Sequence, residues 1–148
     1  VIASPLHPVA LDCRHLDAVR ALAARCFTRA WGSQDFAYFL SHECRQAWGI
    51  FSADSPPRLA AYFLGLLVQG ELDVISVATE PLARRQGLAA RLIRQACADP
   101  AVEKAFLEVD VGNTAAIALY RKLGFQPTGV RRGYYEGKSD AQLMAWVR

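Results

Sequence analysis

The stretch from Val74 to Cys97 constrains the fold most. An apolar run, Val74-Ile75-Ser76-Val77-Ala78-Thr79, leads through the charged turn Arg84-Arg85-Gln86-Gly87. Leu88-Ala89-Ala90-Arg91-Leu92-Ile93-Arg94-Gln95-Ala96-Cys97 then follows with helical, amphipathic spacing. The pattern reads as a strand, a turn and a helix N-terminus, and such a terminus holds backbone N–H groups without intrahelical partners, ready for a phosphate. Gly87 lets the backbone approach a pyrophosphate closely, small Ala89 leaves the first helical turn unobstructed, and Arg84 and Arg85 add positive charge.

The remaining composition sets bounds around this feature. A chain of 148 residues, 53% hydrophobic and 21% charged, fits one domain (1–148) with a single buried core. Its longest apolar run, from Leu59 to Val68, is ten residues, too short to span a bilayer, and no secretory leader pattern opens the sequence. A cytoplasmic protein without a membrane partner is expected. The net charge of +3 is modest and the arginines are dispersed, so direct nucleic-acid binding is not implied. Cys13, Cys26, Cys44 and Cys97 are widely spread and read as reduced, mostly buried thiols. Cys13-x-His15 and His42-x-Cys44 have one-residue spacings that structural zinc knuckles do not use, so no metal is expected. The G-x-G-x-x-G pattern is absent, and Gly137-Lys138-Ser139 lacks the earlier glycine of a P-loop, since Arg132 stands there.

Further elements follow from periodicity and punctuation. Leu16, Val19, Leu22, Ala23, Cys26 and Phe27 recur at helical spacing after Asp12, and Ser33 to Leu40 gives a second short helix. Ala47 to Phe51 and Leu59 to Val68 read as strands divided by Ser55-Pro56-Pro57, and Gln69-Gly70 marks a hairpin. Beyond Asp99-Pro100 lies the strand Ala105 to Val109 with Glu108 inside it. A helix capped by Asn113 and ended by Gly124 follows, then strands from Phe125 to Val130 and Ala141 to Val147. This order suggests an α/β mixed sheet with helices on both faces.

Asn113, Ala116 or Ile117, and Tyr120 share one face of that last helix. A lone tyrosine there reads as a half-buried core residue with its hydroxyl at the surface. The full pattern Asn-x-x-Ala-x-x-x-Tyr-x-x-x-Gly-Phe, following Arg-x-x-Gly-x-Ala, resembles the GNAT N-acetyltransferases in both motifs and in their order. The departures are Ala89 for the commoner third glycine, Arg84 where glutamine is frequent, and Gly112 before Asn113 where serine is usual. The resemblance implies the GNAT fold, β-α-α-β-β-β-α-β-α-β-β, and acetyl-CoA as co-substrate. Val77, Ala78 and Thr79 would hold the pantetheine and polarise the acetyl carbonyl. Arg84, Arg85, Gln86, Gly87, Leu88, Ala89 and Ala90 would hold the pyrophosphate, Asn113 would touch the coenzyme, and Tyr120 would stand near its sulfur as proton donor.

Within the family, Leu107-Glu108-Val109, Asn113 to Phe125, and Val130-Arg131-Arg132-Gly133-Tyr134-Tyr135 followed by Asp140-Ala141 are similar to the bacterial ribosomal-protein alanine N-acetyltransferases. Phe27 to Phe36, centred on Trp31, is similar to their early aromatic segment. This implies transfer to a protein N-terminal α-amine, that of the alanine of ribosomal protein S18, with Trp31, Tyr134 and Tyr135 at the acceptor. Glu108, a carboxylate in an apolar strand, is then the candidate general base, directly or through a water. An ion pair with a neighbouring arginine is its structural alternative. The chemistry favours an α-amine: with a pKa of about 8 it needs about 1.4 kcal/mol to deprotonate at pH 7, against about 4.6 kcal/mol for a lysine near 10.4. Acetylation of lysine or a small-molecule amine, and a non-catalytic CoA-binding module, are the competing readings.

Overall fold

The computed structural model describes residues 6–28, 32–135 and 139–148. The elements in chain order are β1 (Val9–Ala10), α1 (Leu16–Cys26), α2 (Ser33–Ser41), β2 (Arg45–Phe51), β3 (Leu59–Val68), β4 (Glu71–Thr79), α3 (Leu88–Cys97), β5 (Lys104–Asp110), α4 (Thr114–Lys122), β6 (Gln126–Tyr135) and β7 (Ser139–Val147). They form one seven-stranded sheet in the order β1-β2-β3-β4-β5-β7-β6, antiparallel except where β4 meets β5. The expected element order is found, with strand ends displaced by a few residues; β6 is the largest change, running on to Tyr135 through its pairing with β7. Among the described residues no helix is long and apolar enough to cross a membrane.

Alternation along β3 divides the core into two layers. Ala61 and Phe63 join the cluster with Leu88, Leu92, Ile93 and Ala96 of α3, while Tyr62 and Leu64 join Val19, Leu22 and Ala23 of α1 and Phe36 and Leu40 of α2. Asp12 does more than precede α1. It caps a 3-10 turn at Cys13–His15, where its carboxylate accepts from the Arg14 amide at 2.9 Å and the His15 Nδ1 accepts from the Asp12 amide at 3.0 Å. Likewise the His42 Nδ1 accepts from the Cys44 amide at 3.0 Å. Both imidazoles therefore serve local turns, and no group of three or more potential metal ligands occurs among the described residues.

Two departures from regular pairing shape the middle of the sheet. The register of β3 against β4 slips between Leu64↔Ser76 and Gly65↔Val74, leaving Ile75 as an extra residue on β4. Leu72 and Val74 before this bulge and Val77 after it all pack on the α3 side, which strict alternation would forbid. Gly65 permits it: a Cβ there would stand 2.9 Å from the Asp73 carbonyl oxygen. Secondly, β4 and β5 pair only from Glu71↔Lys104 to Asp73↔Phe106. Beyond that point the two strands diverge around a cleft.

Candidate active site

The cleft between the diverging strands has a volume of about 340 Å³. Val74, Ile75, Ser76 and Val77 line it from β4; Leu107, Glu108, Val109 and Asp110 from β5; Asn113 and Tyr120 from the next turn and α4; Phe27 and Phe36 from the α1–α2 layer. Residues drawn from far-apart segments, Val77, Glu108, Asn113 and Tyr120, thus meet at one opening.

Each is held by local structure. On β5, Ala105, Leu107 and Val109 enter the α3-side core, so alternation sends Glu108 to the other face. There its Oε1 lies 3.0 Å from Arg131 Nη2, with the side chains 28% and 54% exposed. Arg131 in turn stands over the Tyr134 ring at 5.0 Å, and a hydrogen bond to Glu108 pushes the Tyr134 phenol above its ordinary value. The arginine ion pair is therefore present, and it joins Glu108 to the Tyr134 that was expected at the acceptor.

Asn113 caps α4, its Oδ1 accepting from the Ala116 amide at 3.2 Å. The preceding turn is tied to Asp110, whose Oδ1 accepts from Gly112 and whose Oδ2 accepts from Ser139 Oγ at 2.7 Å. These bonds hold the Asp110 carboxyl below its usual range. At the other end of α4 the Gly124 amide donates to Arg121 O and the Phe125 amide to Tyr120 O, a Schellman ending. Its hydrophobic contact is Tyr120 against buried Phe125, ring centroids 5.9 Å apart. The helix ending that Gly124 signalled is thus also what fixes the Tyr120 ring.

The turn into α3 starts at Gly87, the glycine singled out in the sequence, with one addition and one difference. A 3-10 turn at Pro81–Ala83 precedes it. Gly87 is the residue before α3 with φ 74°, and a Cβ placed on it would meet nothing within 4 Å. The first intrahelical bond runs from the Arg91 amide to Gly87 O, so the amides of Leu88, Ala89 and Ala90 point out of the helix start beside open space. Such a terminus fits a pyrophosphate. Arg84 differs: its Nε donates to the Thr79 carbonyl at 3.3 Å, an oxygen that also accepts from Cys26 Sγ at 3.3 Å. Its side chain therefore braces β4 rather than facing the turn, while Arg85 and Gln86 remain exposed. Ala78 is buried in the α1-side core, which leaves only its backbone for a ligand.

Trp31 lies outside the described residues, as does the side chain of Tyr135. Phe27, Phe36 and Ser76 line the cleft without having been singled out as site residues. The first two belong to the aromatic segment around Trp31, a signal that could have found them, whereas Ser76 depends on the bulge.

The profile of the acetyltransferase (GNAT) family matches residues 16–125. The chain belongs to this family. It is 30% identical over 135 residues to the putative ribosomal protein bS18-alanine N-acetyltransferase of Bacillus subtilis, covering 89% of this chain and 88% of the relative. With the bS18-alanine N-acetyltransferase of Escherichia coli K12 it shares 30% identity over 141 residues, 91% of this chain and 93% of that one. The crystal structure of the Escherichia coli ribosomal-protein-S18-alanine N-acetyltransferase superposes with a TM-score of 0.87 at 29% identity, over 97% of this chain and 94% of the other. The expected fold and the expected family are both found, and with them an N-acetyltransferase dependent on acetyl-CoA.

Proposed function

We propose that this chain transfers the acetyl group of acetyl-CoA to a protein N-terminal α-amine, that of the alanine of ribosomal protein S18. The observation that carries the reading is Glu108 and Tyr120 lining one cleft from different elements, beside a glycine turn with outward amides. The names of the similar Bacillus and Escherichia proteins support the acceptor.

In this scheme the α3 N-terminus at Gly87 to Ala90 holds the pyrophosphate, and Asn113 and the β4 backbone around Val77 to Thr79 hold the pantetheine arm. Acetyl-CoA supplies an activated thioester carbonyl. Backbone donors on the unpaired β4 edge stabilise the charge that develops on its oxygen, in a site already oriented for it. Glu108 takes a proton from the acceptor ammonium, directly or through one water. Its partner Arg131 is half-exposed, and a pair of this kind contributes only about 0–1 kcal/mol, so an incoming ammonium can displace it. As the C–N bond forms and the C–S bond breaks, Tyr120 gives its proton to the departing sulfur and is reprotonated by the second proton the amine nitrogen loses; full transfer from a phenol near 10 to a thiolate whose acid is near 8.5 costs about 2 kcal/mol, which positioning offsets. Tyr134, bonded to Glu108, and Trp31 and Tyr135 receive the acceptor peptide.

The test uses three peptides with the S18 N-terminal sequence. One has a free α-amine only, one a blocked α-amine and an internal lysine, and one both amines free. We predict selective α-acetylation of the first and third. Preferential acetylation of the lysine in the blocked peptide would instead mean that the site supplies the extra deprotonation free energy, about 3 kcal/mol, that separates the two amines.

A further inference from the structure

Tyr62 is fully buried, yet its hydroxyl reaches Ser76 Oγ at 2.9 Å, and Ser76 lines the cleft. The rest of the Tyr62 ring is enclosed by the α1–α2 layer, with Phe36 edge-on to it at 6.5 Å. The bond falls immediately after the bulged Ile75, where β4 has lost its regular register against β3 and has no pairing with β5. A bulge removes ladder hydrogen bonds and so loosens the strand it bends. Here the looseness would fall on the backbone edge that faces the reacting carbonyl. One side-chain contact opposes it, the Tyr62–Ser76 bond immediately after the bulge. Burial pushes the Tyr62 phenol up to about 12, so it remains neutral and the bond persists at any working pH.

We propose that Tyr62 is a positioning residue for acetyl transfer, acting through Ser76 to hold the bulged segment of β4 so that its backbone donors meet the thioester oxygen. This rests on the acetyl-transfer reading above. Loss of the bond leaves the pyrophosphate turn and Asn113 in place and loosens β4 only beside the bulge, so the defect should fall on the chemical step more than on cofactor binding.

The experiment compares Tyr62→Phe, Ser76→Ala and the double variant for kcat and for the KM of acetyl-CoA. The infrared stretch of the bound carbonyl in carbonyl-labelled acetyl-CoA is a second readout. We expect kcat to fall roughly fivefold or more in each single variant and no further in the double, with KM within about twofold. The stretch should return toward that of the free thioester, and Ser76→Thr, which keeps a hydroxyl, should recover most of kcat. Wild-type kcat and stretch in Tyr62→Phe, or losses that multiply in the double variant, overturn the proposal. Should Tyr62→Phe lose its cooperative melt, Ser76→Ala, at the half-buried end of the bond, decides between the same outcomes. A wild-type protein that acetylates no amine removes the acetyl-transfer reading and this one together; an active wild type beside an unaffected Tyr62→Phe removes this one alone.

Discussion

Glu108 and Tyr120 reach the cleft by opposite kinds of constraint. Strand alternation decides the face on which Glu108 stands, and Arg131 and Tyr134 from β6 then hold its carboxylate. Tyr120 is fixed by the way its helix ends, against Phe125. We predict that Glu108→Gln and Tyr120→Phe each lower kcat by more than about tenfold while the dissociation constant for acetyl-CoA stays within about twofold, the pattern of lost proton-transfer groups. Raising the pH should partly rescue Glu108→Gln, since solvent then deprotonates the amine. Steady-state rates at pH 6 to 9 with calorimetric binding provide the check, and wild-type rates in both variants would reduce the residues to structural parts. Both residues could be read from the sequence because each sits in a local pattern: an apolar strand interrupted by one carboxylate, and an Asn-capped helix ended by Gly-Phe. Arg84 could not be read as well. Its place in the motif is local, but its side chain turns back to the Thr79 carbonyl beside Cys26, a partner set by how α1 packs on β4.

At the scale of elements, the turn from β4 into α3 carries the cofactor argument. Gly87 combines a left-handed backbone, φ 74°, with open space where a Cβ would be. Any other residue therefore meets a conformational cost, about 1–2 kcal/mol, without a steric clash inside the protein itself. A ligand phosphate seated on the helix start would supply the clash. We predict that Gly87→Val lowers the melting temperature of the ligand-free protein by several degrees, at roughly 2–4 °C per kcal/mol, and weakens acetyl-CoA binding by a much larger factor. The rise in melting temperature that saturating acetyl-CoA gives the wild type, set by mass action, should then be largely lost. A variant that keeps the full ligand-induced rise would show that the pyrophosphate sits elsewhere. The strand–turn–helix order here was readable from apolar periodicity and one glycine. The bulge at Ile75 was not, because Val74 to Thr79 is apolar almost throughout and gives no alternation from which a slipped register could be seen.

The whole molecule is a sheet with apolar layers on both faces, and each layer holds an ionisable group whose neutral form burial strongly favours. Cys97 at the end of α3 packs against the α3-side core, and burial pushes its thiol from 9.0 up to about 11 despite the opposing influence of Arg148. Tyr62 belongs to the α1-side core, and burial moves its phenol from 10.0 up to about 12. Both folded values lie above the unfolded ones, so the folded chain holds these protons more tightly. The stability they contribute is fully present below the unfolded value and is lost as the pH climbs through the folded one. Denaturant melts should therefore show stability declining from about pH 9 for Cys97 and from about pH 10 for Tyr62, with the two losses complete near 11 and 12. Cys97→Ala lowers stability at neutral pH by leaving a small void, but its decline between pH 9 and 11 should be shallower than that of the wild type. Tyr62→Phe should flatten the later part of the curve in the same way. The slope is the informative quantity, since all other ionisable residues are the same in the three proteins. Parallel slopes in wild type and both variants would place the alkaline weakness at the surface and not in the two layers.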